Sequence, residues 1–283
     1  MKAAQVGASE YDARICRADY LASKHSFAAE VLRFYSQVAE FQKKLYTEIN
    51  KEAKKDLGRK SPHGVPIPFR PGFPATDAIK LLPDLTSFLN LIEQAAPPAL
   101  AAAARAVSNL DATSQRSLLQ AYWELGGVND QLIGPFAQFI PSAFAQPLAE
   151  LFAARITAPP AMSTPHDCPL CGGQPLLGVL RPEGDGGKRR MMCSFCSQEW
   201  DYRRIYCPAC GEADEKKLPV YVAEQFPHIR LEICETCKVY VRTIDLTKDG
   251  NAVPLADDIA AIPLSLWAQE HGYTRLQPNL LGT

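Results

Sequence analysis

Eight of the nine cysteines in this chain fall in four C-x-x-C pairs. They read Cys168-Pro169-Leu170-Cys171-Gly172, Cys193-Ser194-Phe195-Cys196, Cys207-Pro208-Ala209-Cys210-Gly211 and Cys234-Glu235-Thr236-Cys237. Two intervening residues let both sulfurs of a pair turn toward one ion, while nearby backbone N–H groups bond the thiolates and lower their basicity. Gly172 and Gly211 follow the second cysteine of their pairs, where a permissive backbone tightens the turn. Four such pairs give two four-ligand sites.

Pairs one and three share C-P-x-C-G and pairs two and four lack it, so the region reads as a doubled unit of roughly 40 residues. Sequential assignment groups Cys168, Cys171, Cys193 and Cys196 in one site and Cys207, Cys210, Cys234 and Cys237 in the other, each closing a loop of about 20 residues. Interleaved pairing, one with three and two with four, stays open. All-sulfur tetrahedral ligation suits zinc or iron, and the spacing does not choose. Zinc makes a structural clip for small β units that lack a core of their own; iron adds a one-electron couple. Four protein ligands per ion leave no open coordination position, which argues against hydrolytic metal catalysis.

Disulfides are the competing use of so many cysteines, but the N-terminus lacks the apolar core of a secretory signal, and a cytoplasmic protein is expected. Cys16 lies outside the pairs on a predicted helix and reads as a small core residue. His166, two residues before Cys168, and His228, in a predicted hairpin turn, are spare donors beside tetrahedra that sulfur already completes.

The 283 residues allow about two domains, and 47% apolar with 22% charged residues is ordinary globular usage. A formal charge of -1 weakens the case for nucleic acid. No apolar run reaches the roughly 18 residues of a membrane span, so membrane insertion is not expected. The best basic cluster, Lys188-Arg189-Arg190 with Arg203-Arg204, is surrounded by Glu183, Asp185, Glu199 and Asp201. No Gly-rich phosphate loop, H-E-x-x-H helix or nucleophile elbow is present.

The N-terminal half reads as all-α. Ile15, Tyr20, Phe27, Val31, Phe34, Val38, Phe41, Leu45 and Ile49 predict one helix from about Ala13 to Lys60. Five prolines between Ser61 and Pro74 form a connector that no helix crosses, with Phe69 and Phe73 packing it down and His63 solvated. Further helices are predicted at Thr76 to Gln94, Pro98 to Ser108, Asp111 to Glu124 and Gly134 to Ile156. Asp111 or Thr113 caps the third, and Gly126-Gly127 ends it. Their few charges suit helices that pack on each other or leave a protein-binding face.

Pro159-Pro160 marks a boundary. Beyond it Leu176 to Leu180, Leu218 to Val222, Ile229 to Ile233 and Val239 to Ile244 read as short strands, with a hairpin tip at Gly184 to Gly187. A helix from about Asp257 to Glu270 closes the chain. The expected fold is α+β and multidomain: a helical domain at 1–160, small rubredoxin-like or zinc-ribbon-like units at 161–205 and 206–250, and a C-terminal helix and tail at 251–283.

This order of features resembles the formate dehydrogenase accessory protein family, FdhE. The likeness is carried by C-P-x-C-G at Cys168 and Cys207, by C-x-x-C followed by Trp200, and by Cys234 to Tyr240. Phe27 to Gln42, Asp257-Asp258, Leu264, Trp267, Gly272, Tyr273 and Asn279-Leu280 add to it. Arg242 stands where the family pattern has a basic residue, and the Gly-rich insert before Arg189 is long. The resemblance implies a cytoplasmic accessory protein, not an enzyme, required for active respiratory formate dehydrogenase and acting on its catalytic subunit before or during export. It also implies rubredoxin-like mononuclear iron centres on the eight paired cysteines. The residues alone leave two other classes open: a rubredoxin-like electron-transfer protein, and a zinc-ribbon nucleic-acid binder using Arg189, Arg190, Arg203 and Arg204.

Overall fold

The computed structural model describes residues 7–57, 79–80, 82–125, 138–155, 166–280 and 282. The predicted proline-rich connector with His63, Phe69 and Phe73, the Gly126-Gly127 pair and the boundary at Pro160 lie outside the described residues.

The helix expected from Ala13 to Lys60 is two helices, α1 (Ala8–Lys24) and α2 (Ala29–Leu57), separated by an extended His25 and the short 3-10 turn Ser26–Ala28. They pack antiparallel, with Asp12 2.5 Å from Lys43 and the Tyr11 ring 5.8 Å from Tyr46. The apolar spacing runs on through His25, so periodicity hides the break. Packing enforces it: only a reversal lets α1 bury Tyr11, Ala18, Leu21 and Ala22 against its neighbours.

Helices α3 (Thr86–Ala95), α4 (Pro98–Ser108), α5 (Ala112–Leu125) and α6 (Phe139–Ala153) follow. Among the described residues the first and last are shorter than expected. Pro98 opens α4 at a position whose N–H needs no partner. Asp111 caps α5, its carboxylate accepting from the N–H groups of Thr113 and Ser114 at 2.9 and 3.0 Å. Every residue from Ala143 to Ala153 in α6 is buried, so this charge-poor helix is an interior element.

The C-terminal half forms β1 (Pro175–Glu183), β2 (Gly186–Cys193), β3 (Glu199–Asp201), β4 (Val220–Val222), β5 (Ile229–Ile233), β6 (Val239–Asp245) and β7 (Thr274–Arg275). The two β units expected from the repeat are present as antiparallel sets, β1-β2-β3 and β4-β5-β6, and the structure joins them in one seven-stranded sheet of order β3-β2-β1-β6-β5-β4, with β7 beside β6. The seam is a parallel pairing of β1 with β6 in which Gly178 faces Thr243. A Cβ on Gly178 would lie 2.2 Å from Thr243 Oγ1, so only glycine lets the seam close. Strand β2 escapes the sequence reading because Lys188-Arg189-Arg190 interrupts any apolar alternation. The turn at Gly184 to Gly187 is the expected hairpin tip, with Glu183 opposite Gly186.

The closing helix is also divided, into α7 (Pro254–Ala260) and α8 (Ile262–Glu270), with the break at Ala261. Pro263 explains it, since proline lacks the N–H for Ile259 and its ring crowds that carbonyl. Helix α7 carries two adjacent buried carboxylates, of which Asp257 ties the halves together and Asp258 binds within the C-terminal half. Asp257 accepts from Arg17 Nε and Nη2 of α1 at 2.9 and 2.6 Å and sits 2.8 Å from His228 Nε2. Asp258 pairs with Arg242 at 2.8 Å and Arg275 at 2.9 Å, so the basic residue at 242 is a buried structural ion. Burial acts to raise the Asp258 pKa, but the two guanidinium groups outweigh it and hold the carboxyl below its ordinary value. A third buried pair, Arg14 with Glu150 at 2.8 Å, joins α1 to α6.

Candidate metal centres

The four cysteine turns share one backbone plan. The carbonyl of each first cysteine accepts from the residue just after the second: Gly172 to Cys168 at 2.8 Å, Ser197 to Cys193 at 3.2 Å, Gly211 to Cys207 at 3.0 Å and Lys238 to Cys234 at 2.9 Å. The first cysteine's own N–H returns to the next carbonyl, at Gly173, Gln198, Glu212 and Val239, over 2.7 to 2.9 Å. All four donating residues are left-handed, with φ of +70°, +55°, +80° and +58° for Gly172, Ser197, Gly211 and Lys238. Glycine takes that conformation freely; Ser197 and Lys238 are held in it by the turn around them. The sequence reading missed these two, although aligning the four pairs puts them where the glycines stand.

The turns bring together Cys168, Cys171, Cys193 and Cys196 in one cage and Cys207, Cys210, Cys234 and Cys237 in a second, the sulfurs of each lying within 4.8 Å of one another. Pairing is therefore sequential. Three sulfur–sulfur separations in the first cage are 3.4 to 3.7 Å, and two in the second are 3.6 and 3.7 Å. A tetrahedron with metal–sulfur bonds of about 2.3 Å has edges of about 3.8 Å, so both donor sets fit a single tetrahedral ion. None of the cysteines is in a disulfide.

Charge makes the same case. Burial pushes the Cys171 and Cys196 thiols well above the ordinary thiol value, and raises Cys207 to about 11. Cys193 and Cys234 go the other way: burial opposes ionisation there too, but donors from neighbouring thiols and backbone N–H groups outweigh it. Four clustered sulfurs cannot all ionise by themselves, and a bound cation is what would supply the missing charge. Backbone N–H groups of Gly173, Phe195 and Ala209 already donate to Cys171, Cys193 and Cys207, each at 3.4 Å. The chemistry available is closed thiolate coordination with donor-tuned sulfurs.

Each cage sits at the N-terminal end of its own strand, β1 or β6, and those strands run parallel. Both cages therefore lie along the same end of the sheet. His166 links them: its Nδ1 is 3.0 Å from the Pro208 carbonyl in the second cage's first turn, and its ring stacks on Tyr206 at 5.6 Å. His228 is taken by Asp257. Neither histidine joins the four-sulfur groups. Cys16, expected in the core, is exposed on α1, which corrects that reading: the apolar stripe of α1 runs through Ala18 and Leu21, and residue 16 falls off it.

The basic cluster is largely spoken for. Lys188 pairs with Asp201 at 2.8 Å, Arg190 with Asp201 at 3.1 Å, and Arg189 is buried with Glu232 at 2.6 Å while donating to the Arg203 and Tyr206 carbonyls. Arg189 thus fastens the first β unit to the linker and the second.

A helical half joined to one sheet that carries two closed four-cysteine cages defines a protein suited to holding two metal ions without opening either to substrate. Family models match the chain in three consecutive parts: FdhE, N-terminal, over residues 5–125; FdhE, central domain, over 167–204; and FdhE, C-terminal domain, over 205–281. The chain belongs to the FdhE family. It is 27% identical to the FdhE homologue of Aquifex aeolicus over 94% of this chain and 93% of that one. With the homologue of Pseudomonas aeruginosa it is 37% identical over 40% of this chain and 38% of the relative. The crystal structure of the FdhE protein from Pseudomonas aeruginosa matches all of this chain and 99% of its own with a TM-score of 0.73 at 23% identity, a likeness of fold.

Proposed function

We propose that this chain is an accessory protein of formate dehydrogenase, binding the catalytic subunit in the cytoplasm and carrying one iron ion in each cage. The carrying observation is the pair of closed four-thiolate cages on one sheet in a chain of this family. Cys168, Cys171, Cys193 and Cys196 ligate the first ion, and Cys207, Cys210, Cys234 and Cys237 the second. Closed coordination supports a part that is not an enzyme: the cages organise a docking module and leave no position for substrate. Among the described residues no helix is long and apolar enough to cross a membrane.

Two measurements test this. Capture from cells growing on formate is expected to recover the dehydrogenase catalytic subunit, and anaerobic preparation to yield two iron ions per chain. Failure to recover that subunit, with unchanged enzyme activity after deletion, removes the accessory role. Colourless protein holding only zinc removes iron. The exposure of Cys210 supports a second reading, rubredoxin-like electron exchange at the second cage. Reversible reduction of a ferric-thiolate absorption band is its signature.

A further inference from the structure

Strand β4 is one of the two ends of the sheet order, with β5 on one side and, among the described residues, no strand on the other. The Pro219 carbonyl accepts from Ile233, so ladder alternation makes Tyr221 and Leu231 the next hydrogen-bonded pair. The N–H and C=O groups of Val220 and Val222 consequently point outward. Among the described residues seven large apolar side chains are exposed, and three of them are consecutive on this edge: Val220, Tyr221 and Val222. A fourth, Ile205, lines with Val220 a cavity of about 280 Å³ beside the strand. An unpaired edge flanked by apolar side chains is a template for another strand.

Charge selects the occupant. Arg189, Arg204 and Arg230 line the same cavity against two carboxylates, Glu215 and Glu232. Arg189 holds Glu232, and its buried Nε has no hydrogen-bond partner among the described residues. Arg204 and Arg230 have no ion-pair partner among the described residues. Cys207 and Cys234 close the cavity on the second cage's side, so an anionic group belongs with the arginines and away from the thiolates.

We propose that this edge and cavity bind an extended, acidic segment of a partner protein, which adds a strand to β4 and places carboxylates on Arg204 and Arg230. As the surface that meets the formate dehydrogenase subunit it rests on the reading above; as a site for an acidic strand it does not.

The test uses the metal-loaded full chain and two labelled hexapeptides, one alternating valine with glutamate and one alternating valine with lysine, followed by fluorescence anisotropy. The glutamate peptide is expected to bind at least about tenfold more tightly, with that preference lost in the Arg204→Glu/Arg230→Glu double variant and weakened by salt. Val222→Pro removes an outward donor and leaves the β5 ladder intact, so it weakens the glutamate peptide about tenfold, whereas Val222→Thr stays within about twofold. Equal binding of both peptides, no binding of either, or unchanged binding by Val222→Pro overturns the proposal. Capture of the catalytic subunit separates the two readings. If the native chain captures it and the double variant captures as much, the docking surface is wrong and the accessory role stands. If the native chain captures none and deletion leaves enzyme activity unchanged, the accessory role falls and the peptides still decide the site.

Discussion

The two cages share a backbone plan and differ in everything that touches it. In the first, all four cysteines are buried, and Phe195 between the second pair packs against Trp123 and Tyr122 of α5 at ring distances of 5.2 and 5.6 Å. Gln146 of α6 donates to the Ser197 hydroxyl at 3.0 Å and accepts from Gln42 of α2 at 2.9 Å, so the turn is hydrogen-bonded into the helices. In the second, Cys210 is exposed and Cys237 half-buried, and Glu235 and Thr236 stand where the first has Ser194 and Phe195. Gly173 and Glu212 occupy matching positions. A Cβ at Gly173 would lie 2.7 Å from Cys193 Sγ, whereas Glu212 reaches out to the Thr236 hydroxyl at 2.6 Å. The same local chemistry therefore serves as part of the main core in one place and as a surface feature in the other.

That contrast is breakable by experiment. Cys171→Ser is expected to lose the first metal and lower the thermal midpoint by about 10 °C or more, because the cage and the helical core share one packed cluster. Cys210→Ser is expected to lose the second metal with a fall of only a few degrees. Metal content and calorimetry check both, and equal falls would erase the distinction between core and surface.

A smaller effect falls on the seam. Gly178→Ala drives a methyl into Thr243 and should cost about 1–3 kcal/mol in chemical unfolding, with Thr243→Ala restoring much of it in the double variant. Additive losses would show that the seam does not depend on this contact. Gln146→Leu should cost about 1–3 kcal/mol by stranding buried partners, and should speed chelator removal of the first metal while leaving the second alone. Release from both cages at a common new rate would contradict local support.

The smallest effect concerns the left-handed residues. Lys238→Gly should stabilise the chain by up to about 1 kcal/mol, since glycine relieves the positive φ. Ser197→Gly should give no such gain, because it gives up the Gln146 hydrogen bond. Cys16→Ala, at an exposed position, should change neither metal content nor midpoint.

Much of this was legible in the chain. The spacing of the pairs sufficed to name all eight clustered cysteines, and Asp111 and Pro98 marked helix starts that the structure reproduces. Periodicity failed where the apolar pattern ran through a reversal at His25, where a basic run concealed β2, and where Cys16 sat one step off the buried stripe. The buried roles of Asp257, Asp258 and Arg242 were not readable, because each ion's partner lies far away in sequence.

By itself the sequence determined the short-range chemistry: which residues supply sulfur, how two-residue spacers form turns around them, and that the unit is doubled. These depend on contacts within a few residues, which the order of amino acids specifies directly. Tertiary structure decided which pairs share a cage, that the two β units become one sheet, and that one cage is sealed by helices while the other meets solvent. Those outcomes depend on which distant surfaces exclude water together, and identical turns carry no record of what will be packed against them.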